Sequence, residues 1–257
     1  MKDIEIGIIG GTGGIGRWFA GFFEKEGYTV LVSGRKTGLD IPTMGRKCQV
    51  VIVSVPIGNT LEVIGRVGPH MKKESLLMDL TSLKGEPVKS MLKSSVSEVI
   101  GLHPLFGTAA DSIAGHKIVL CPARTKKWLD WLKDILTKNG ADIIETTPER
   151  HDELMALVQV LNHLNSITMG MILRESGVDL VELKRFATPM FHTKLDTIEK
   201  VFTNNPRLYA EIITLNPNIH KILDLYGKTL SDLKGLISKK KTETLVELIQ
   251  ERNIWES

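Results

Sequence analysis

The feature that most constrains this chain is the hexapeptide Gly11-Thr12-Gly13-Gly14-Ile15-Gly16, which follows directly on the apolar run Ile4–Ile9. Its glycines fit G-x-G-x-x-G spacing, and the flanking patterns place it between a strand and a helix. In that setting Gly11 would make the tight turn, Gly13 would let the backbone approach a pyrophosphate, and Gly16 would allow close helix–strand packing. The helix that starts here offers unpaired N–H groups and a favourable dipole to phosphate. A hexapeptide alone is weak evidence, and the strand before it and helix after it give it weight. Gly11, Thr12, Gly13, Gly14, Ile15 and Gly16 are therefore candidate dinucleotide-binding residues.

The rest of the first half repeats this alternation. Ile4–Ile9, Thr29–Val32, Val50–Val55, Leu76–Leu80, Val99–Leu102, Lys117–Leu120 and Asp142–Glu145 read as strands, several of them continuously apolar, as in a parallel sheet covered on both faces. Ile15–Lys25, Thr60–Val67, Val88–Leu92 and Thr125–Lys138 read as helices. The pattern predicts a Rossmann-type doubly wound α/β sheet. After Thr147-Pro148 only helical periodicity remains, with Leu154, Leu157, Val158, Leu161, Leu164 and Ile167 in step. Gly177 suits a helix stop, and Pro189, Pro206 and Pro217 suit new starts. We expect a nucleotide-binding domain over 1–147 and an all-helical domain over 148–257. The helical part is more apolar than a small lid needs, so we expect it to form a homodimer.

Bulk properties exclude several classes. With 257 residues the chain can bury a core without staples. A net charge of +3 is too weak to argue for nucleic acid, and Lys239-Lys240-Lys241 reads as a solvated loop. Cys48 and Cys121 have no metal-type spacing and read as reduced thiols, so no metal is expected. No signal peptide and no run long enough to span a bilayer are found, and we expect a cytoplasmic protein with no membrane partner.

The end of the second strand bears on the cofactor. An acid there would bond the ribose 2′-hydroxyl of NAD, but this strand ends Val32-Ser33-Gly34-Arg35-Lys36. Ser33 can donate to a 2′-phosphate and Arg35 or Lys36 can neutralise it, which favours NADP, with NAD the alternative.

Two further segments lie at carboxyl ends of predicted strands, where open α/β sheets bind ligands: Leu77-Met78-Asp79-Leu80-Thr81-Ser82-Leu83-Lys84 and Gly101-Leu102-His103-Pro104-Leu105-Phe106-Gly107. With them the chain resembles prephenate dehydrogenase, and is most similar to the dehydrogenase half of the bifunctional chorismate mutase–prephenate dehydrogenase. The resemblance is collinear over nearly the whole chain. It includes Val53-Ser54-Val55-Pro56-Ile57, His151-Asp152, His163 and Asn205-Pro206-Arg207-Leu208-Tyr209-Ala210-Glu211.

The resemblance implies oxidative decarboxylation of prephenate to 4-hydroxyphenylpyruvate in tyrosine biosynthesis. It implies His103 as the catalytic base, Ser82 as the serine that orients it, and Lys84 as a nearby electrostatic support. It places Val55 and Pro56 at the cofactor and His163 at the substrate. The family's carboxylate-binding arginine aligns with Lys200 and a second arginine with His192, which puts substrate anchoring in doubt, because lysine offers a point charge where arginine offers a fork. Lys194 and Arg207 are neighbours able to substitute. The mutase helices find no counterpart before the first strand, so tyrosine feedback would need a site within the two domains. Rival readings are an arogenate dehydrogenase, another two-domain NADP-dependent reductase, and a nucleotide-sensing regulatory protein. The reductases lack the Ser82…His103-Pro104 arrangement, and a sensor would not need His103.

Overall fold

The computed structural model describes residues 4–255. Its seven strands are β1 (Glu5–Ile9), β2 (Thr29–Ser33), β3 (Val50–Val53), β4 (Leu76–Asp79), β5 (Glu98–Pro104), β6 (Lys117–Arg124) and β7 (Asp142–Glu145), in the order β2-β1-β3-β4-β5-β6-β7. Helices α1 (Gly14–Lys25), α2 (Ile41–Lys47), α3 (Ile57–Val67), α4 (Gly85–Ser94) and α5 (Trp128–Lys138) lie between them.

Alternate residues of each strand enter opposite cores, the period-2 consequence of pleating. Ile6, Ile8, Val50, Ile52, Leu76, Met78, Ile100 and Leu102 pack with Phe19 and Phe23 of α1 and Leu132 and Leu136 of α5. Ile9, Val51, Val53, Leu77 and Val99 pack on the other face with Met44 of α2, Ile64 and Val67 of α3 and Met91 of α4. A sheet buried on both sides needs apolar residues at every position, which is why these strands read as unbroken apolar runs.

The structure refines the expected sheet in two places. β6 runs antiparallel to β5, while the other neighbouring pairs are parallel. A parallel return needs a crossover element, and residues 105–116 supply no helix. The sequence reading also lacks α2, which has only seven residues and contains Gly45. Asp40 caps it, accepting from the Thr43 N–H at 2.7 Å.

Beyond Thr147, whose hydroxyl caps the next helix, no strand occurs among the described residues. Helix α6 (Pro148–Met155) runs through a π-helical segment, Ala156–Leu161, into α7 (Asn162–Glu175). Gly177 follows with φ +70, the left-handed residue that ends a helix. Then come α8 (Leu180–Arg185), α9 (Pro189–Thr203) and α10 (Pro206–Thr214), the last two with proline in the first turn. From Pro217 onwards the described residues form a second compact unit, with α11 (Ile219–Ser238) and α12 (Thr242–Glu251) joined by an exposed turn at Lys239–Lys241. Pro217 stands two residues before α11.

The unbroken helix over 148–175 departs from the expectation that no segment reaches bilayer length. Its 28 residues include a window of mean hydropathy 1.3, long and apolar enough to cross a membrane by length and composition. Gln159, Asn162 and His163 interrupt its apolar residues, so the segment is apolar on average without being an unbroken apolar run.

Candidate active site

The sheet's register sets one edge. Ile9, Ser33, Val53 and Asp79 pair in line, so β1 to β4 end at a common level. Gly101 of β5 pairs with Asp79, so His103 stands two residues beyond that level, where β5 is held by its ladder with β6. The strand order reverses at β1 and β3, the place where doubly wound sheets leave a crevice for nucleotides.

That crevice is lined by backbone at very close quarters. Gly10 has φ +86, and a Cβ there would lie 2.1 Å from the Ser54 carbonyl oxygen. A Cβ on Gly16 would lie 2.8 Å from the Gly10 carbonyl oxygen and 2.9 Å from Ser54 Oγ. Val55 sits beside Gly10, and Pro56 caps the start of α3. Gly13 is the N-cap of α1 and Gly14 opens it with φ +50. Neither faces anything within 4 Å, and no side chain caps the helix. Uncapped N–H groups facing open space fit a pyrophosphate. Ile15 packs towards the core, and Arg17, Trp18 and Thr108 line the cleft with Gly13 and Gly14. The tight turn falls to Gly10, which has positive φ, rather than to Gly11 as the motif suggests. Only the close approach to Ser54 reveals this.

Residues at the end of β2 divide. Gly34 comes within van der Waals limits of Thr12, where a Cβ would lie 2.7 Å from Thr12 Oγ1. Ser33 is buried and its hydroxyl donates to the Leu39 carbonyl at 2.7 Å, so the expected contact with a 2′-phosphate does not arise from it. The reason is the tight turn that follows, in which Thr37 Oγ1 accepts from Gly34 N–H at 2.8 Å. Arg35 and Lys36 remain exposed on that turn.

Around His103 the structure assembles a buried polar chain. His103 Nδ1 lies 2.9 Å from His151 Nε2, and His151 Nδ1 lies 2.8 Å from Asp152 Oδ1. Asp152 also accepts the backbone N–H groups of Lys84 and Gly85, each at 2.8 Å. His103, His151 and Asp152 are 4%, 1% and 2% exposed, so the three groups are largely shielded from solvent. Burial holds His103 well below the ordinary histidine range, with the neighbouring His151 and Lys84 acting in the same direction. Burial also lowers His151, opposed by its bond to Asp152.

Lys84 is fully buried. Its Nζ donates to the Asp79 carboxylate and, at 2.9 Å, to the Leu102 carbonyl next to His103. Ser82 is half-buried and makes no hydrogen bond to His103, whose Nδ1 lies against His151 instead. Helix α6 brings His151 in from residues distant in sequence. The adjacent pair His151-Asp152 is its only sequence signal.

His163, on α7, packs its ring edge against Tyr209 of α10, with centroids 4.8 Å apart. Burial lowers its pKa, and its Nδ1 is buried without a partner. Gln159 Oε1, one turn earlier in the π segment, is likewise unpartnered, and such buried groups mark places for a ligand or ordered water. Lys200 and His192 are both exposed on α9, and no bond ties either to His103 or His163. No cluster of potential metal ligands occurs among the described residues. Cys48 and Cys121 are free and buried.

Comparison with known proteins gives a consistent picture. The family model for the nucleotide-binding domain of prephenate dehydrogenase matches residues 32–145, and that for its dimerization domain matches residues 147–251. A Methanocaldococcus jannaschii protein named "Probable arogenate/prephenate dehydrogenase" is 34% identical over 97% of this chain, and the T-protein of Haemophilus influenzae is 35% identical over 81%. The chain spans 60% and 55% of those two proteins' lengths. Among solved structures, prephenate dehydrogenase from Aquifex aeolicus, in complex with hydroxyphenyl propionate and NAD+, superposes with a TM-score of 0.77 at 21% identity, covering 98% of this chain and 96% of that one. Synechocystis arogenate dehydrogenase gives 0.74 at 23%, covering 96% and 97%. At such identities these two establish the fold alone.

Proposed function

The chain belongs to the prephenate dehydrogenase family, and from that premise we propose that it oxidatively decarboxylates prephenate to 4-hydroxyphenylpyruvate, with arogenate the alternative substrate. The observation that carries this reading is the meeting, at one edge of the sheet, of a pyrophosphate cradle and a buried histidine with an unengaged Nε2. A reductase of another family has no need of that histidine, and a nucleotide sensor has no use for a base.

Gly13, Gly14 and the first turn of α1 would hold the pyrophosphate. When bound, the nicotinamide supplies the hydride acceptor. His103 Nε2 takes the proton of the ring hydroxyl as hydride leaves the carbon bearing it, and the ring carboxylate departs as carbon dioxide while the ring becomes aromatic. A neutral imidazole suits that task, and burial keeps His103 neutral. His163 would present its unpartnered Nδ1 to the substrate.

The dimerization-domain match and the exposed apolar side chains Val181 (71%), Phe186 (82%) and Met190 (71%) support a homodimer through the helical region. For the domain limits we keep 1–147 and 148–257, since the last strand ends at Glu145 and Pro148 opens α6.

An assay with prephenate and arogenate, each with NAD+ and NADP+, tests the function. Reduction of the nicotinamide with prephenate is expected, and oxidation of neither substrate overturns the reading. With Ser33 engaged internally, NADP preference rests on Arg35. Arg35→Ala should cut the NADP/NAD selectivity by about 10- to 100-fold, the worth of a charged hydrogen bond of ~1.5–3 kcal/mol. Unchanged selectivity would remove the case for NADP.

Lys200 is proposed to reach a substrate carboxylate. Lys200→Ala should then raise KM with little change in kcat, the signature of uniform binding. If KM stays the same, Lys200 is a solvated residue of α9.

A further inference from the structure

We propose that His151 and Asp152 are a positioning pair that fixes His103 as its Nδ1–H tautomer and so leaves Nε2 as the proton acceptor. The donors and acceptors along this largely buried chain assign its hydrogens. Asp152 receives two peptide N–H groups, from Lys84 at 2.8 Å and Gly85 at 2.8 Å. Peptide nitrogens can only donate, and two such donors favour the carboxylate over the acid. An ionised carboxylate only accepts, so His151 Nδ1, 2.8 Å from Oδ1, must carry the hydrogen. A neutral imidazole has one hydrogen, so His151 Nε2 is bare. At 2.9 Å from it, His103 Nδ1 must then be the donor. A neutral His103 that donates from Nδ1 keeps its lone pair on Nε2, the nitrogen with no other bond.

The seat for this pair is built into the fold. Lys84 is the N-cap of α4 and makes no side-chain cap bond, so the first amides of that helix lack an internal partner. Asp152, reaching in from α6, accepts those amides, and it stabilises the helix terminus as an anion. Gly85 permits the approach, since a Cβ there would lie 3.0 Å from Asp152 Oδ2. On the other side Asn216 Nδ2 donates to the Asp152 carbonyl at 3.0 Å. The carboxylate therefore stays fixed whether or not His103 holds a proton. When His103 gains one at Nε2, its Nδ1–H still points to His151, and the new charge is offset through His151 by Asp152. The charged groups facing the two rings are Lys84, Asp79 and Asp152. Lys84 opposes protonation of both rings, while Asp152, through its hydrogen bond, and Asp79 favour it at His151.

The catalytic use of this tautomer rests on the proposed dehydrogenase function, but the tautomer itself does not, and two measurements separate them. In the wild-type protein, nitrogen-15 NMR of the histidine side chains, with His103→Asn used only to assign the signal, should show His103 protonated at Nδ1 and bare at Nε2 near neutral pH. A His103 ring protonated at Nε2 would overturn the proposal whether or not the protein oxidises prephenate. His151→Leu, which removes the acceptor, should populate both His103 tautomers, lower kcat by about 10-fold or more and leave KM near wild type. His151→Gln retains an acceptor oxygen and should recover part of the loss. If His151→Leu folds and keeps wild-type kcat with an unchanged pH profile, the pair has no positioning role. If the tautomer is as stated and neither prephenate nor arogenate is oxidised, the functional reading fails and the positioning pair stands.

Discussion

His103→Asn should fold and bind nicotinamide cofactor as wild type does, while its kcat falls about 10²–10⁴-fold, the usual contribution of a positioned general base. Asparagine keeps a polar group of similar reach near His151 and loses the nitrogen that takes up the proton. The ring hydroxyl must lose that proton as hydride leaves, and no second base lies within bonding distance of His103 except His151, whose Nε2 is already engaged. The pH dependence adds an independent check. Activity needs the neutral ring, so the rate falls as pH drops through the pKa of His103. Burial, with His151 and Lys84, holds that pKa well below 6.5, so the acid limb of kcat/KM belongs on the acid side of the usual histidine range rather than near neutrality. The limb should vanish in the variant's residual activity. A variant that turns over prephenate and arogenate at close to wild-type rates, or that keeps the acid limb, would remove His103 from the mechanism.

What the sequence reveals here follows physical range. The strands lie in continuous apolar runs because both faces of the sheet are covered, a local signal that each segment carries alone. The glycine loop is legible for the same reason, since its function is written into neighbouring residues. Gly10 escapes notice because its necessity comes from the Ser54 carbonyl, more than forty residues away. Ser33 illustrates the opposite failure, in which a plausible donor is consumed by its own turn through Leu39. His151 is the most consequential omission. By its pattern it is one more histidine in the first turns of a helix, and only the docking of α6 against α4 and β6 places it beside His103. The resemblance led to Ser82 as the orienting group; Ser82 makes no hydrogen bond to His103 in the structure, and His103 Nδ1 has His151 as its partner. His192 and Lys200 mark the remaining gap: the fold leaves both on an exposed face of α9, where nothing within the chain decides what they hold.

Lys84→Ala should destabilise the protein by about 3–5 kcal/mol, the cost of stripping one partner from a buried ion pair. Lys84 and Asp79 are both fully buried, and Asp79 Oδ1 already lacks a partner, so without Lys84 the carboxylate would rely on the Thr81 hydroxyl and N–H alone. The Leu102 carbonyl would also lose its donor. In denaturant titration the midpoint should move with the slope unchanged, which reports stability rather than altered compactness. Removing both charges, as in Lys84→Met with Asp79→Leu, should recover much of the loss, because the cost lies in the orphaned charge rather than in the missing attraction. The same substitution has a consequence at the base. Lys84 is one of the groups that keep His103 from protonating, after burial and His151, so a folded Lys84→Met enzyme should show its acid limb shifted towards neutral pH. A stable Lys84→Ala protein with an unmoved limb would mean that the buried cation supports neither the fold nor the histidine beside it.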